Sequence, residues 1–212
     1  MRVRAVVADD HDVVLAGLRH ILTSCGCELV GTAEDGREAV RLSAEMRPDL
    51  IVLDVSMPVL NGIEAARQIR KQSGKVHIIF LSMHSDATYV REAFRVGADA
   101  YLLKGTAVSE LGVAVREVMQ GHHYLSPLIT KQAIAELLAS PAASAFGNEL
   151  TKRQREVLQL VAEGKTAKEI AVLLSISPKT VEFHKASIMD TLGLHTIADL
   201  TRYAVNSKIT SC

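Results

Sequence analysis

The sequence predicts a doubly wound α/β domain with a five-stranded parallel sheet, followed by a small all-α helix-turn-helix domain. Three observations carry this expectation. The first 120 residues alternate short β-rich runs with segments of helical periodicity, the pattern of a parallel sheet covered by helices on both faces. After Gln120 the alternation stops, and from Leu150 the pattern is helical only. The length, 212 residues, also exceeds the roughly 100 to 150 residues of a common single domain.

The β-rich runs are Val3–Ala8, Leu29–Ala33, Leu50–Leu53, Val76–Leu81 and Ala100–Leu103. Between them, apolar residues recur at three- and four-residue spacing, as on one face of a helix. The first face is Val14, Leu18, Ile21 and Leu22, and the second is Ala39, Val40 and Ser43. Ile63, Ala66 and Ile69 form the third, Val90, Ala93 and Phe94 the fourth, and Leu111, Val115, Val118 and Met119 the fifth. Gly121 to Pro127 carries no strand signal, and a short helix is expected over Leu128–Ala139. Ser140 to Asn148, rich in small residues and turn formers, reads as a linker. Four helices are expected after it: Lys152–Glu163, Ala167–Leu174, Lys179–Leu192 and Ile197–Val205. The expected domains are residues 1–121 and 149–212, joined by 122–148.

A hydrophobic fraction of 48% with 23% charged residues is that of a globular chain. No apolar run approaches the roughly 18 residues of a membrane span. Asp9 and Asp10 fall where an export signal would continue its apolar stretch, so a cytoplasmic location is expected. Cys25, Cys27 and Cys212 are too few for a disulfide framework and are expected as reduced thiols. The net charge of zero hides 14 basic against 16 acidic residues up to position 130, and 10 against 8 after it. That asymmetry is too weak to argue nucleic-acid binding, which depends on clustering.

In an open parallel sheet, ligands bind outside the carboxyl ends of the strands. The first run ends in Asp9-Asp10, the third in Asp54, the fourth in Ser82 and the fifth in Leu103-Lys104. Singly, each has an ordinary use, as a helix cap, a turn acid or a solvated charge. Together they bring three carboxylates, a hydroxyl and an ammonium to one rim. Clustered carboxylates repel one another, which argues for a cation, and hard oxygen ligands suit Mg²⁺. Asp54 at the centre is a competent nucleophile for an acyl phosphate, with Lys104 and Ser82 placed to neutralise phosphoryl oxygens.

In the second half, Thr166 to Leu174, the turn Ser175-Ile-Ser177, and Pro178 to Leu192 form helix, short turn, helix. Thr166 with Glu169 makes a capping box, Ser177 caps the next helix with Pro178 at its first position, and Gly193 stops it. On that helix Val181, Ile188 and Leu192 should face the core, with His184 and Lys185 at the boundary. Lys179, Glu182, Phe183 and Ala186 form the opposite stripe. An exposed Phe183 suits contact with a thymine methyl, and Glu182 contact with a cytosine amino group. Lys179, Thr180 and Lys185 suit phosphates.

Val7-Ala-Asp-Asp-His, Ile51-Val-Leu-Asp-Val-Ser-Met-Pro58, Leu81-Ser82 and Ala100-Tyr-Leu-Leu-Lys104 resemble the receiver domain of bacterial two-component response regulators. The resemblance implies Asp54 as the residue phosphorylated by a sensor histidine kinase. It implies Asp9, Asp10, Asp54 and the Ser56 backbone carbonyl as the Mg²⁺ site, Ser82 and Lys104 as phosphoryl contacts, and Tyr101 as an aromatic switch. An ordinary edge-strand aromatic is the plainer alternative for Tyr101. Leu150 to Leu158, Gly164 to Ala171 and Ser177 to Lys185 resemble the LuxR/FixJ-type DNA-binding domain. This implies that the helix containing Thr180 to Ile188 enters the major groove, that Glu156 supports the fold, and that the last helix serves dimerisation. Ala186 removes a potential polar base contact. The whole resembles the NarL/FixJ family, with double-stranded operator DNA, a second copy on activation, and RNA polymerase as implied partners. A stand-alone phosphatase built on Asp54 would need a cap for which the sequence leaves little material. The sequence also shows no phosphate-binding glycine loop for nucleotide chemistry. A regulator governed by protein contacts without phosphorylation stays open.

Overall fold

A computed structural model describes residues 2–85, 87–129, 150–207 and 209–210. The linker Ser140–Asn148, the expected short helix beyond Ile129, and Cys212 lie outside these residues. The described chain forms two compact units.

The first unit runs β1 (Arg4–Ala8), α1 (Asp12–Ser24), β2 (Glu28–Ala33), α2 (Gly36–Met46), β3 (Leu50–Asp54), α3 (Gly62–Gln72), β4 (His77–Ser82), α4 (Ala87–Arg95), β5 (Ala100–Leu103) and α5 (Ala107–Met119). A short strand, β6 (Tyr124–Leu125), follows α5; all strand pairs are parallel, and the order across the sheet is β2-β1-β3-β4-β5-β6. The five expected strands are present, and the sixth, β6 (Tyr124–Leu125), adds to the count read from the sequence. It lies in the segment without strand signals because two residues carry no periodicity. β6 forms because the open edge of β5 offers acceptors: Tyr124 N–H donates to the Asp99 carbonyl and Ser126 N–H to that of Tyr101, both at 3.0 Å. β5 is therefore not an edge strand, and Tyr101 is not an edge aromatic.

Alternation of side chains along each strand splits the core into two layers. Val6, Ala8, Ile51, Leu53, Ile78, Phe80 and Tyr101 pack beneath α2, α3 and α4. Ala5, Val7, Leu50, Val52, Ile79, Leu81, Ala100 and Leu102 pack beneath α1 and α5. With both faces covered, the strands read as near-continuous apolar runs. The acids at their ends are polar because the rim is where the covering helices begin.

The second unit is α6 (Lys152–Ala162), α7 (Ala167–Leu174), α8 (Pro178–Leu192) and α9 (Ile197–Asn206) around one core that includes Leu158, Ile170, Val181, Ile188 and Leu200. Capping boxes form at Thr151 with Gln154, Thr166 with Glu169, and Thr196 with Asp199. α7 ends at Ser175 in the left-handed region, and α8 starts three residues later with Ser177 accepting from Thr180 N–H at 3.0 Å. Gly193, at φ 65°, terminates α8. Among the described residues no helix is long and apolar enough to cross a membrane.

Candidate functional site

Parallel pairing brings the ends of β1, β3, β4 and β5 to one rim. Asp9 follows β1, and its N–H donates to the Ala33 carbonyl at 3.1 Å. Asp54 closes β3, Ser82 closes β4, and Lys104 opens a single 3₁₀ turn after β5. Asp9, Asp54 and Ser82 are buried. The Lys104 ammonium sits between the two acids, with Nζ 2.8 Å from Asp9 Oδ2 and 2.9 Å from Asp54 Oδ2.

Burial pushes the Asp54 carboxyl above the ordinary carboxylate value. Lys104 pulls it back without cancelling the shift, Asp9 adds to it, and the Ser56 backbone N–H opposes it by donating to the carboxylate. Burial also works against charge on Lys104, but its hydrogen bonds and its attraction to Asp9 and Asp54 outweigh that, holding the ammonium above the usual lysine value. The rim thus sets an acid whose charge burial disfavours beside a lysine whose charge Asp9 and Asp54 favour.

Asp10 is placed differently from Asp9. It is exposed, and its Oδ1 lies 2.8 Å from His11 Nδ1. Ligand atoms of Asp9, Asp10 and His11 all fall within 4.8 Å of one another. Two carboxylates this close, one buried and one open to solvent, match what a hard divalent cation requires: few protein oxygens and room for water.

Ser82 and Tyr101 meet at the β4–α4 loop rather than at Asp54. Ser82 Oγ accepts from His84 N–H at 3.0 Å, and the buried Tyr101 hydroxyl donates to the His84 carbonyl at 2.9 Å. The His84 ring stacks on Tyr89 of α4, with centroids 4.3 Å apart and planes 15° apart. Ser82, Tyr101 and α4 are therefore linked through one residue that the sequence reading did not single out. Gly62 is another. A Cβ there would lie 2.0 Å from the Asp54 carbonyl oxygen, so only glycine lets α3 start against the backbone of that acid.

In the second unit, α8 presents the expected faces. Val181 and Ile188 are buried and Leu192 is partly buried against the core. Lys179 and Ala186 are exposed, Glu182 and Phe183 are 57% and 70% exposed, and Lys185 is half-buried at the boundary. Thr180 is half-buried, and its hydroxyl is 2.8 Å from that of Ser177, so it serves the cap. Lys185 Nζ is bound to Glu182 at 3.1 and 3.2 Å from its two oxygens, which couples two residues read from the sequence as independent. α8 is fixed to α6 by Gln154 Nε2 donating to Ser187 Oγ at 2.9 Å. Buried Glu156 accepts from Arg153 at 2.7 Å, and Arg153 also reaches the Leu174 carbonyl at the end of α7 at 2.5 Å.

Residues 5–116 match the response regulator receiver domain, and residues 148–204 match the bacterial regulatory proteins of the luxR family. The chain belongs to the NarL/FixJ family of response regulators. The regulator is 32% identical over 205 residues to the response regulator UvrY of Escherichia coli, covering 96% of this chain and 94% of that one. It is 36% identical over 213 residues to the oxygen regulatory protein NreC of Staphylococcus aureus, with 97% and 98% covered. Among solved structures it is similar to the response regulator RcsB of Salmonella typhimurium, with 26% identity, a TM-score of 0.63 and 99% of each chain covered. A structure of an RcsB–DNA complex matches with 25% identity, a TM-score of 0.60, and 98% and 99% covered. The regulator is thus a two-component response regulator carrying a receiver domain and a LuxR-type DNA-binding domain, and its family is one of transcription regulators rather than classical enzymes.

Proposed function

We propose that Asp54 accepts a phosphoryl group from a sensor histidine kinase and that this controls dimerisation and operator binding in the cytoplasm. The observation that carries the reading is the Lys104 ammonium held between buried Asp9 and Asp54. An Asp54 oxygen attacks phosphorus as the donor's bond to phosphorus breaks, leaving an acyl phosphate. Burial keeps water away from the attacking carboxylate, and Lys104 is placed to neutralise the charge arriving on the phosphoryl oxygens. Asp9, Asp10, Asp54 and the Ser56 carbonyl would hold Mg²⁺, which when bound neutralises phosphoryl charge. Ser82 is placed to turn its hydroxyl from the His84 amide to a phosphoryl oxygen, which loosens the loop that accepts from Tyr101.

The same reading assigns residues 1–121 to the receiver, 122–148 to the linker and 149–212 to the DNA-binding domain. α8 enters the major groove, where Glu182 and Phe183 read bases, Lys179, Thr180 and Lys185 face phosphates, and Ala186 leaves its position without a polar base contact. The RcsB–DNA complex supports this use of the domain. RNA polymerase completes the partner set.

Acetyl phosphate with Mg²⁺ is expected to label the parent once and Asp54→Asn not at all. Undiminished labelling of the variant would overturn the assignment.

A further inference from the structure

His11 occupies the residue before α1, yet its side chain makes no cap hydrogen bond. Ser, Thr, Asp and Asn are preferred there because their oxygens accept from the first helical amides. The His11 ring turns instead to the acid pair. Its Nδ1 is 2.8 Å from Asp10 Oδ1 and 3.2 Å from Asp9 Oδ1, and its main-chain N–H donates to that same Asp9 oxygen at 3.0 Å. Asp9 Oδ2, meanwhile, faces Lys104. The carboxylate oxygens are thus divided, with Lys104 on one side and the His11 ring on the other. A divalent cation of the Mg²⁺ type needs carboxylate oxygens at about 2.1 Å. A ring nitrogen within hydrogen-bond reach of both Oδ1 atoms engages oxygens that such a cation would need.

We propose that His11 is a built-in competitor for the divalent cation: its ring holds the Asp9 and Asp10 oxygens in the cation-free protein and turns into solvent when the cation binds. The inference rests on reading Asp9 and Asp10 as the cation-holding acids, and it concerns what sets their affinity. It needs only a proton on Nδ1, which the neutral ring can carry. The ring is 65% exposed, so leaving sacrifices little packing. The interaction broken is an exposed hydrogen bond to a carboxylate, no stronger than an exposed ion pair, which corresponds to roughly a two- to fivefold change in affinity.

The test is titration of the full-length protein with Mg²⁺ alone, by calorimetry and by NMR of the histidine rings. His11→Ala is expected to bind Mg²⁺ roughly two- to fivefold more tightly than the parent. In the parent, the His11 ring signals should move to those of a solvated imidazole as Mg²⁺ saturates. His20→Ala, which removes an exposed histidine at the far end of α1, should leave the affinity unchanged. Equal or weaker binding by His11→Ala, an equal gain in His20→Ala, or ring signals unmoved at saturation would each overturn the proposal. Asp10→Asn separates this from the underlying reading. If Asp10→Asn binds Mg²⁺ as well as the parent, the acid-pair assignment itself fails. If it binds more weakly while His11→Ala is unchanged, only the role of His11 falls.

Discussion

Burial and charge act in opposite directions on Asp54, and burial wins. Its carboxyl therefore titrates higher in the folded chain than in the unfolded one. Below the unfolded value both states hold the proton and no difference arises. As pH rises from that value through the folded one, the unfolded chain ionises first and folding is weakened, and the full penalty is present above the folded value. Asp54→Asn has no proton to lose and should be more stable than the parent once pH exceeds the folded value, by roughly 0.5–2 kcal/mol, as is common when a functional strain is relieved. The gap should close as pH falls through the carboxylate range, and urea unfolding across that range checks it. Lys104 has the opposite sign: its raised value stabilises the fold below the ordinary lysine value, and that contribution is lost as pH rises past it through the higher folded value. Gly62 sets a steric condition on the same acid. Gly62→Ala forces a methyl against the Asp54 carbonyl and should cost about 3 kcal/mol, the upper part of the overpacking range. It should also slow labelling, since Asp54 moves with its backbone. Labelling at the parent's rate would show that the loop relaxes elsewhere.

At the scale of the element, α8 is positioned by its caps, by two buried residues and by one hydrogen bond from α6. Its outer stripe is free to serve recognition. The Lys185–Glu182 pair alters what the two mutants should do. Lys185→Ala should weaken binding to operator and scrambled DNA alike and flatten the salt slope by up to about one unit. Glu182→Ala should lose roughly 1–3 kcal/mol of discrimination at one base position. It also releases Lys185 from its partner, so affinity for scrambled DNA should rise. Both are measured across a salt series, and unchanged base preference in Glu182→Ala would remove that residue from the reading set.

At the scale of the whole molecule, the phosphorylation proposed for Asp54 would add close to two negative charges at a rim already tied to Lys104. On that proposal, an effect on DNA would arrive as a shift between states of the receiver, because a ligand moves an equilibrium only by its differential affinity for the two states. Acetyl phosphate with Mg²⁺ should convert monomer to dimer in sedimentation and raise operator affinity, and Asp54→Asn should do neither. A dimer requires two half-sites near one helical turn apart, so inserting half a turn between them should abolish the gain. A gain that survives the insertion would mean that the recognition helices do not bind as a fixed pair.

The sequence alone determined the βα alternation, the helical second half, the capping residues and the acids at the strand ends. These depend on local periodicity, on side chains that hydrogen-bond within three residues, and on the rule that parallel strands expose their carboxyl ends together. The Lys185–Glu182 pair was within reach as an i,i+3 spacing, but choosing between solvent, phosphate and each other depends on rotamers that spacing leaves open. Only the tertiary structure decided the rest. Lys104 reaches Asp9 and Asp54 because β5, β1 and β3 lie in one sheet, and its rotamer is chosen by two buried charges that lie far from it in sequence. β6 exists because an open strand edge offered acceptors to a two-residue segment with no pattern of its own. His11 and His84 took roles through what packs around them, an acid pair for one and a tyrosine ring for the other. Such contacts join residues whose separation along the chain carries no period, and a period is what a single sequence displays.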